Sequence, residues 1–183
     1  MRLDRDAPLH DMKRLVEPQI PALRRYARAL VRDPVAADDL VQDCLERAIS
    51  HWSQRRQDGD ARTWLFSILH NLAVNQMRQA ARRGRHDSLE TADEAALAHQ
   101  PTQESPLLQR DIIKALATLP EEQRSVLLLV SVEELSYAEA ARVLDIPLGT
   151  VMSRLARARE KLREAMNGGN VVRLDASAFR RPK

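Results

Sequence analysis

Wherever this chain is apolar, its apolar residues recur at the spacing of a helix. Leu23, Tyr26, Ala27 and Leu30 fall three and four apart, which puts them on one face of a 3.6-residue turn and scatters them across a strand. In the stretch from Asp38 to Ser50, Leu40, Val41, Cys44, Leu45, Ala48 and Ile49 make one face, and Asp39, Gln42, Asp43 and Glu46 make the opposite one. A longer helix is predicted from about Ala61 to Arg83, with Trp64, Leu65, Ile68, Leu69 and Leu72 inward and Asn71, Asn75, Arg78 and Arg82 outward. Aromatic residues are only 3% of the chain, so burial must rest on Leu, Val, Ile and Ala, which suits helices packed on helices. No segment alternates β-branched and polar residues between Asn-Gly turns. The expected fold class is all-α.

Punctuation divides the chain in two. Asp33-Pro34 breaks the first helical stretch, and polar residues 53–60 read as a loop. Residues 84–105 turn to Ala, Glu, Asp, Gln, Thr and Pro without an apolar period, as a flexible linker would. Helices resume near Leu107 and stop at Pro120, where Pro and two glutamates suit the start of the next. Ser136 and Glu139 have the spacing of a capping box for a short helix ending at Leu144. Asp145-Ile146-Pro147 turns the chain into a last helix from about Leu148 to Met166, stopped by Gly168-Gly169. The expected organisation is two small helical domains, 1–83 and 106–168, a linker 84–105, and a tail 169–183 with no assigned role.

The formal net charge of +3 is too small to imply a nucleic-acid partner, but its distribution is uneven. Arg78, Arg82, Arg83 and Arg85 cluster on one helical segment; Arg154, Arg157, Arg159, Lys161 and Arg163 cluster on another. Residues 87–104 between them hold acids and no Lys or Arg. Two contacts with a polyanion or two solvated helix faces are both consistent with this pattern. Cys44 is the only cysteine and falls on an apolar stripe, so it reads as a buried, inert thiol and no internal disulfide exists. The five histidines are scattered without metal-ligand spacing, and neither a metal nor a cofactor is expected. The charged residues 1–11 lack the apolar core of an export signal, and the aliphatic run 126–130 is too short to span a bilayer, which predicts a cytoplasmic protein without membrane insertion. No phosphate loop, nucleophile elbow or acid–base pair at recognisable spacing points to an enzyme.

The last two helices, joined by a short turn, have the pattern of a helix-turn-helix. Val151, Leu155, Ala158 and Leu162 make a buried stripe on the second, and Thr150, Ser153, Arg154 and Arg157 fall on another face. Arg can give two bonds to the major-groove edge of guanine, and Ser and Thr bond phosphates or bases. Backbone amides near Gly149 and Thr150, at the helix N-terminus, suit a phosphate. An ordinary amphipathic helix with a solvated basic face would share this spacing.

The residues that carry more are longer runs. Leu135-Ser136-Tyr137-Ala138-Glu139-Ala140-Ala141-Arg142-Val143-Leu144, Ile146-Pro147-Leu148-Gly149-Thr150-Val151, Ser153-Arg154 and Arg157-Ala158-Arg159 together resemble region 4 of the extracytoplasmic-function sigma factors of bacterial RNA polymerase. Ala117-Thr118-Leu119-Pro120-Glu121-Glu122-Gln123-Arg124 resembles that region's lead-in. Asp38-Asp39-Leu40-Val41-Gln42-Asp43 is similar to the region 2 signature, and Thr63-Trp64-Leu65-Phe66-Ser67-Ile68-Leu69-His70-Asn71-Leu72-Ala73 to the helix that follows. The order and separation are those of the family, over about two thirds of the chain. Met152, Ala156, Asp145 and Asn75 depart from its usual residues, which bears on the bases read.

The resemblance implies a specificity subunit with no catalytic site of its own, one that recruits core polymerase to promoters. Asp39, Gln42, Asp43 and Glu46 would dock on the clamp helices of the largest subunit, with Leu40 and Val41 supporting them from the core side; the flap is a further expected contact. Trp52, Arg55, Arg56, Asn71, Asn75, Arg78 and Arg82 would meet the −10 element, the loop 52–62 capturing an unstacked base, although its sequence favours a core-packed Trp52 over one stacked on DNA. Leu148, Gly149, Thr150, Ser153, Arg154 and Arg157 would read the −35 element. The linker resembles the family's connector through the polymerase cleft, with a plain flexible spacer as the equal alternative, and an anti-sigma partner is implied. The rival reading is a DNA-binding regulator that uses the C-terminal helices without polymerase.

Overall fold

The computed structural model describes residues 7–55, 60–83 and 106–167, and every regular element among them is a helix. The chain divides into two compact units, Met1–Ala96 and Leu97–Lys183. The linker 84–105, the loop residues 56–59, the glycine stop at Gly168-Gly169 and the tail 169–183 lie outside the described residues.

The first unit holds α1 (Ala7–Val16), α2 (Ile20–Val31), α3 (Pro34–Ser50) and α4 (Ala61–Arg83). A 3-10 turn, Glu17–Gln19, joins α1 to α2. The break expected at Asp33-Pro34 also starts the next helix. Arg32 adopts a left-handed conformation (φ 61°) to end α2, and the Asp33 carboxylate then accepts from the Val35 and Ala36 amides at 2.9 and 3.0 Å. With Pro34 in the first turn, α3 begins one turn earlier than the Asp38 that apolar spacing alone suggested. Asp60 does the same for α4, accepting from the Arg62 and Thr63 amides and the Thr63 hydroxyl. Partial burial works against its charge, but those bonds from Thr63 and Arg62, with the Arg62 charge, hold its carboxyl below the ordinary range.

α2, α3 and α4 pack mutually around Leu23, Tyr26, Leu30, Cys44, Leu65, Phe66 and Leu69, all essentially inaccessible. The Tyr26 ring meets Phe66 edge-on at 5.5 Å, and its hydroxyl lies 3.0 Å from His70 Nδ1. Ile49, expected on the buried face of α3, is 56% exposed. The buried stripe instead runs through Ala37, Leu40, Val41, Cys44 and Ala48, and Ile49 lies a hundred degrees around the helix from Ala48.

The second unit holds α5 (Pro106–Thr118), α6 (Glu121–Leu127), α7 (Tyr137–Leu144) and α8 (Leu148–Asn167). α6 runs straight into a π-helical turn, Leu128–Val132, closed by Glu133 N–H to the Leu128 carbonyl at 2.9 Å. Residues 126–130 are all buried there, so the aliphatic run expected to be too short for a membrane is the centre of this unit's core. The capping box is present: the Ser136 amide donates to Glu139 Oε2 at 2.7 Å, and the Glu139 amide donates to Ser136 Oγ at 3.2 Å. Asp145, left-handed at φ 51°, ends α7, and residues 145–147 separate α7 from α8. Val151, Leu155, Ala158 and Leu162 form the buried stripe of α8 against α5, α6 and α7.

Candidate nucleic-acid and partner surfaces

Packing that stripe inward decides what α8 offers to solvent. Leu148, Gly149, Ser153 and Arg157 are exposed, and Thr150 is half-buried beside them. The Thr150 amide already donates to the Pro147 carbonyl at 2.9 Å, so of the two amides expected to take a phosphate only that of Gly149 remains suitable. The Ser153 hydroxyl donates to the Thr150 carbonyl at 3.1 Å, which leaves its oxygen as an acceptor. Arg154 is not openly presented. Its Nη2 lies 2.7 Å from Glu122 Oε2, at the start of α6, with side-chain exposures of 25% and 62%. Met152, which sequence reasoning left out of the site, is 49% exposed on the same helix; its departure from the family's usual basic residue was the available signal.

In the first unit, Asp39, Gln42, Asp43 and Glu46 all face solvent on α3, with Gln42 donating to Glu46 at 3.1 Å. Leu40 and Val41 are 3% and 2% exposed, so they hold α3 from beneath, and Leu40 also lines the groove between α3 and α4. Asp38 has a different role: Arg28 bonds its carboxylate at 3.1 and 3.2 Å, tying α2 to α3. On α4, Asn71, Asn75, Arg78 and Arg82 are exposed as expected. α3 and α4 enclose a groove of about 490 Å³, with Asp39 and Asp43 on one wall and Asn75, Arg78 and Arg82 on the other. The acidic and basic surfaces, read separately from sequence, therefore border one groove.

A second hollow of about 320 Å³ lies at the other end of α3, lined by Arg47, His51, Gln54, Trp64, Ile68 and Asn71. Of these, sequence reasoning named only Asn71 as a site residue. Trp52, in a 3-10 turn (Trp52–Gln54), is half-buried, with its ring edge-on to Trp64 at 6.0 Å and the Arg55 guanidinium 4.8 Å from its centroid. Arg56 lies outside the described residues. Burial pushes the Cys44 thiol up to about 12, and its sulfur lies 3.5 Å from the Leu65 carbonyl. Burial, with the Arg78 charge, lowers His70 to about 4. Among the described residues, no three His, Cys, Asp or Glu gather where they could hold a metal ion, and no helix is long and apolar enough to cross a membrane.

A family model described as the sigma2 domain of PhyR matches residues 16–70, and one described as sigma-70 region 4 matches residues 109–162. The chain is 36% identical over 143 residues to the ECF RNA polymerase sigma factor EcfG of Rhodopseudomonas palustris, with 78% of each chain covered. The chain belongs to the ECF sigma factors. A further relative of this sigma factor is the RNA polymerase sigma-E factor of Streptomyces avermitilis, 35% identical over 161 residues that span 87% of this chain and 86% of that one. A co-crystal structure of the sigma factor RpoE in complex with the anti-sigma factor NepR from Bartonella quintana matches with a TM-score of 0.77 and 32% identity, over 87% of this chain and 99% of that one. The all-α units are thus a sigma2 unit and a region 4 unit, and the protein is a regulatory specificity subunit of transcription initiation. The rival regulator reading is set aside, because the relatives that match across both units are RNA polymerase sigma factors.

Proposed function

We propose that this ECF sigma factor binds core RNA polymerase through the acidic surface of α3 and carries it to promoters by reading two DNA elements. Residues 1–83 would act as the polymerase- and −10-binding domain, 84–105 as an acidic connector, and 106–168 as the −35-binding domain. The observation that carries the reading is the exposed row Asp39, Gln42, Asp43 and Glu46, of which Asp39 and Asp43 line one groove with Asn75, Arg78 and Arg82. The acidic row suits the clamp helices of the largest subunit, and the basic wall suits single-stranded DNA carried beside it. The hollow beside Trp64 supports capture of an unstacked base, since it pairs an aromatic wall with polar groups from Arg47, His51, Gln54 and Asn71. On α8, exposed Ser153 and Arg157, with Thr150, Gly149 and Leu148 at its start, suit the major groove, and Arg154 joins them through its pair with Glu122.

An anti-sigma protein is the second proposed partner, in the manner of the RpoE–NepR complex. A protein occupying the shared groove of the first unit would close the polymerase surface and the −10 surface together. The site of action is the bacterial cytoplasm, where core polymerase is found. Mixing the full chain with purified core polymerase tests the whole reading. The expected outcome is a complex that co-elutes and gives run-off transcripts from a subset of a promoter library; a chain that elutes alone and starts no transcript overturns it.

A further inference from the structure

Arg154 is the one residue of the α8 reading surface whose charged head is held by another element, the N-terminal turn of α6. The bond uses a single nitrogen, Nη2, of a guanidinium with five donors in a fixed fork, so one edge is anchored and the rest stay available. Glu122 is much the more exposed partner, at 62% against 25%. A polyanion nearing this surface therefore meets a neutralised pair rather than a free cation, and the pair releases no counterions to a phosphate backbone. Anchoring also removes most of the rotamer freedom by which a long side chain reaches whichever phosphate is nearest.

We infer that Glu122 is a positioning residue that sets how selectively α8 reads DNA. Its carboxylate holds Arg154 for one base edge and keeps it from serving as a general phosphate contact. The inference rests on the reading that α8 and Arg154 meet the upstream promoter element. Neutralising Glu122 should then have two effects of opposite sign. The affinity for scrambled DNA rises, because a free Arg154 adds a phosphate contact, and base preference at the position that Arg154 reads falls.

The test uses holoenzyme made from core polymerase and the full chain, carrying wild type, Glu122→Gln, Glu122→Ala or Arg154→Ala. Each holoenzyme selects from a duplex pool randomised over the upstream element, and each is titrated with a scrambled duplex at several salt concentrations. Thermal melts of the free chains check that α6 keeps its first turn. Both Glu122 variants are expected to relax the base position that Arg154→Ala relaxes, by about fivefold in selectivity. They should also bind scrambled duplex more tightly, with a salt slope steeper by about 0.9. If Arg154→Ala changes the selected sequence and the Glu122 variants do not, the inference is overturned while the α8 reading stands. If Arg154→Ala changes nothing, the α8 reading of Arg154 falls first, and the inference with it. In Glu122→Gln combined with Arg154→Ala, the Glu122 effect on selectivity should vanish; its persistence would mean that Glu122 acts on DNA by itself.

Discussion

His70 is a base kept from its proton by burial among α4's neighbours and by the charge of Arg78, with Nδ1 against the Tyr26 hydroxyl. Its folded value of about 4 lies below the ordinary 6.5, so the unfolded chain binds the proton more readily. The contribution of neutral His70 to stability is complete above pH 6.5, declines as pH falls toward 4, and is constant below that. Over that window about 3 kcal/mol is lost. Urea titrations from pH 7 to pH 4 should show a steeper fall for wild type than for His70→Gln, whose side chain stays neutral; parallel curves would refute the assignment. Cys44 offers a second test. Fully buried, with its thiol near 12, it should react with a thiol reagent at pH 8 about a thousandfold or more slower than in denaturant. Rapid labelling of the native chain would show that α3 opens locally and would overturn the reading of Cys44 as an inert thiol.

At the scale of elements, the turn between α7 and α8 stores a small strain. Asp145 holds φ 51°, a region that an Asp tolerates and a Gly adopts freely, and the family's usual residue there is glycine. Asp145→Gly should stabilise the unit by about 0.5 kcal/mol after the entropy that glycine adds to the unfolded chain. That is a rise of about 2–4 °C in Tm. Asp145→Val should lower it; a Val variant as stable as wild type would show that the turn relaxes. On α3, Asp43→Lys should weaken core polymerase binding by about tenfold or more, because it reverses a charge in the middle of the proposed docking row. Melting should be unchanged, since the side chain is exposed; undiminished binding would remove the docking row. These elements were legible to different degrees. The Ser136 capping box and the buried stripe of α8 are local patterns, so spacing alone gave them. Apolar spacing places the start of α3 one turn late, at Asp38, because Asp33-Pro34 breaks the preceding helix and also caps the next one. The π turn at Leu128–Val132 leaves no trace in a run of aliphatic residues. The pair Glu122–Arg154 and the groove between α3 and α4 join residues distant in sequence, and only the packing of α6 on α8 and of α3 on α4 brings them together.

For the whole molecule, the division into two compact units matters because each carries one of the two proposed DNA surfaces. The proposed row on the sigma2 unit is Asn75, Arg78 and Arg82, and that on the region 4 unit includes Ser153 and Arg157, all exposed. Covalent connection makes the second contact intramolecular, at an effective concentration of about millimolar for a short linker. Separate polypeptides 1–96 and 97–183, supplied at micromolar concentration, forfeit that advantage. Both halves should keep helical circular dichroism, because each has its own core around Leu23, Tyr26 and Phe66 or around residues 126–130. Together with core polymerase they should initiate about a hundred- to a thousandfold less than the intact chain at equal concentration. Raising both fragments toward millimolar should restore part of the activity. Full activity from micromolar fragments would mean that polymerase positions the region 4 unit unaided and that the two DNA surfaces do not act as one. Fragments that lose their helical signal would show instead that neither core closes without the other.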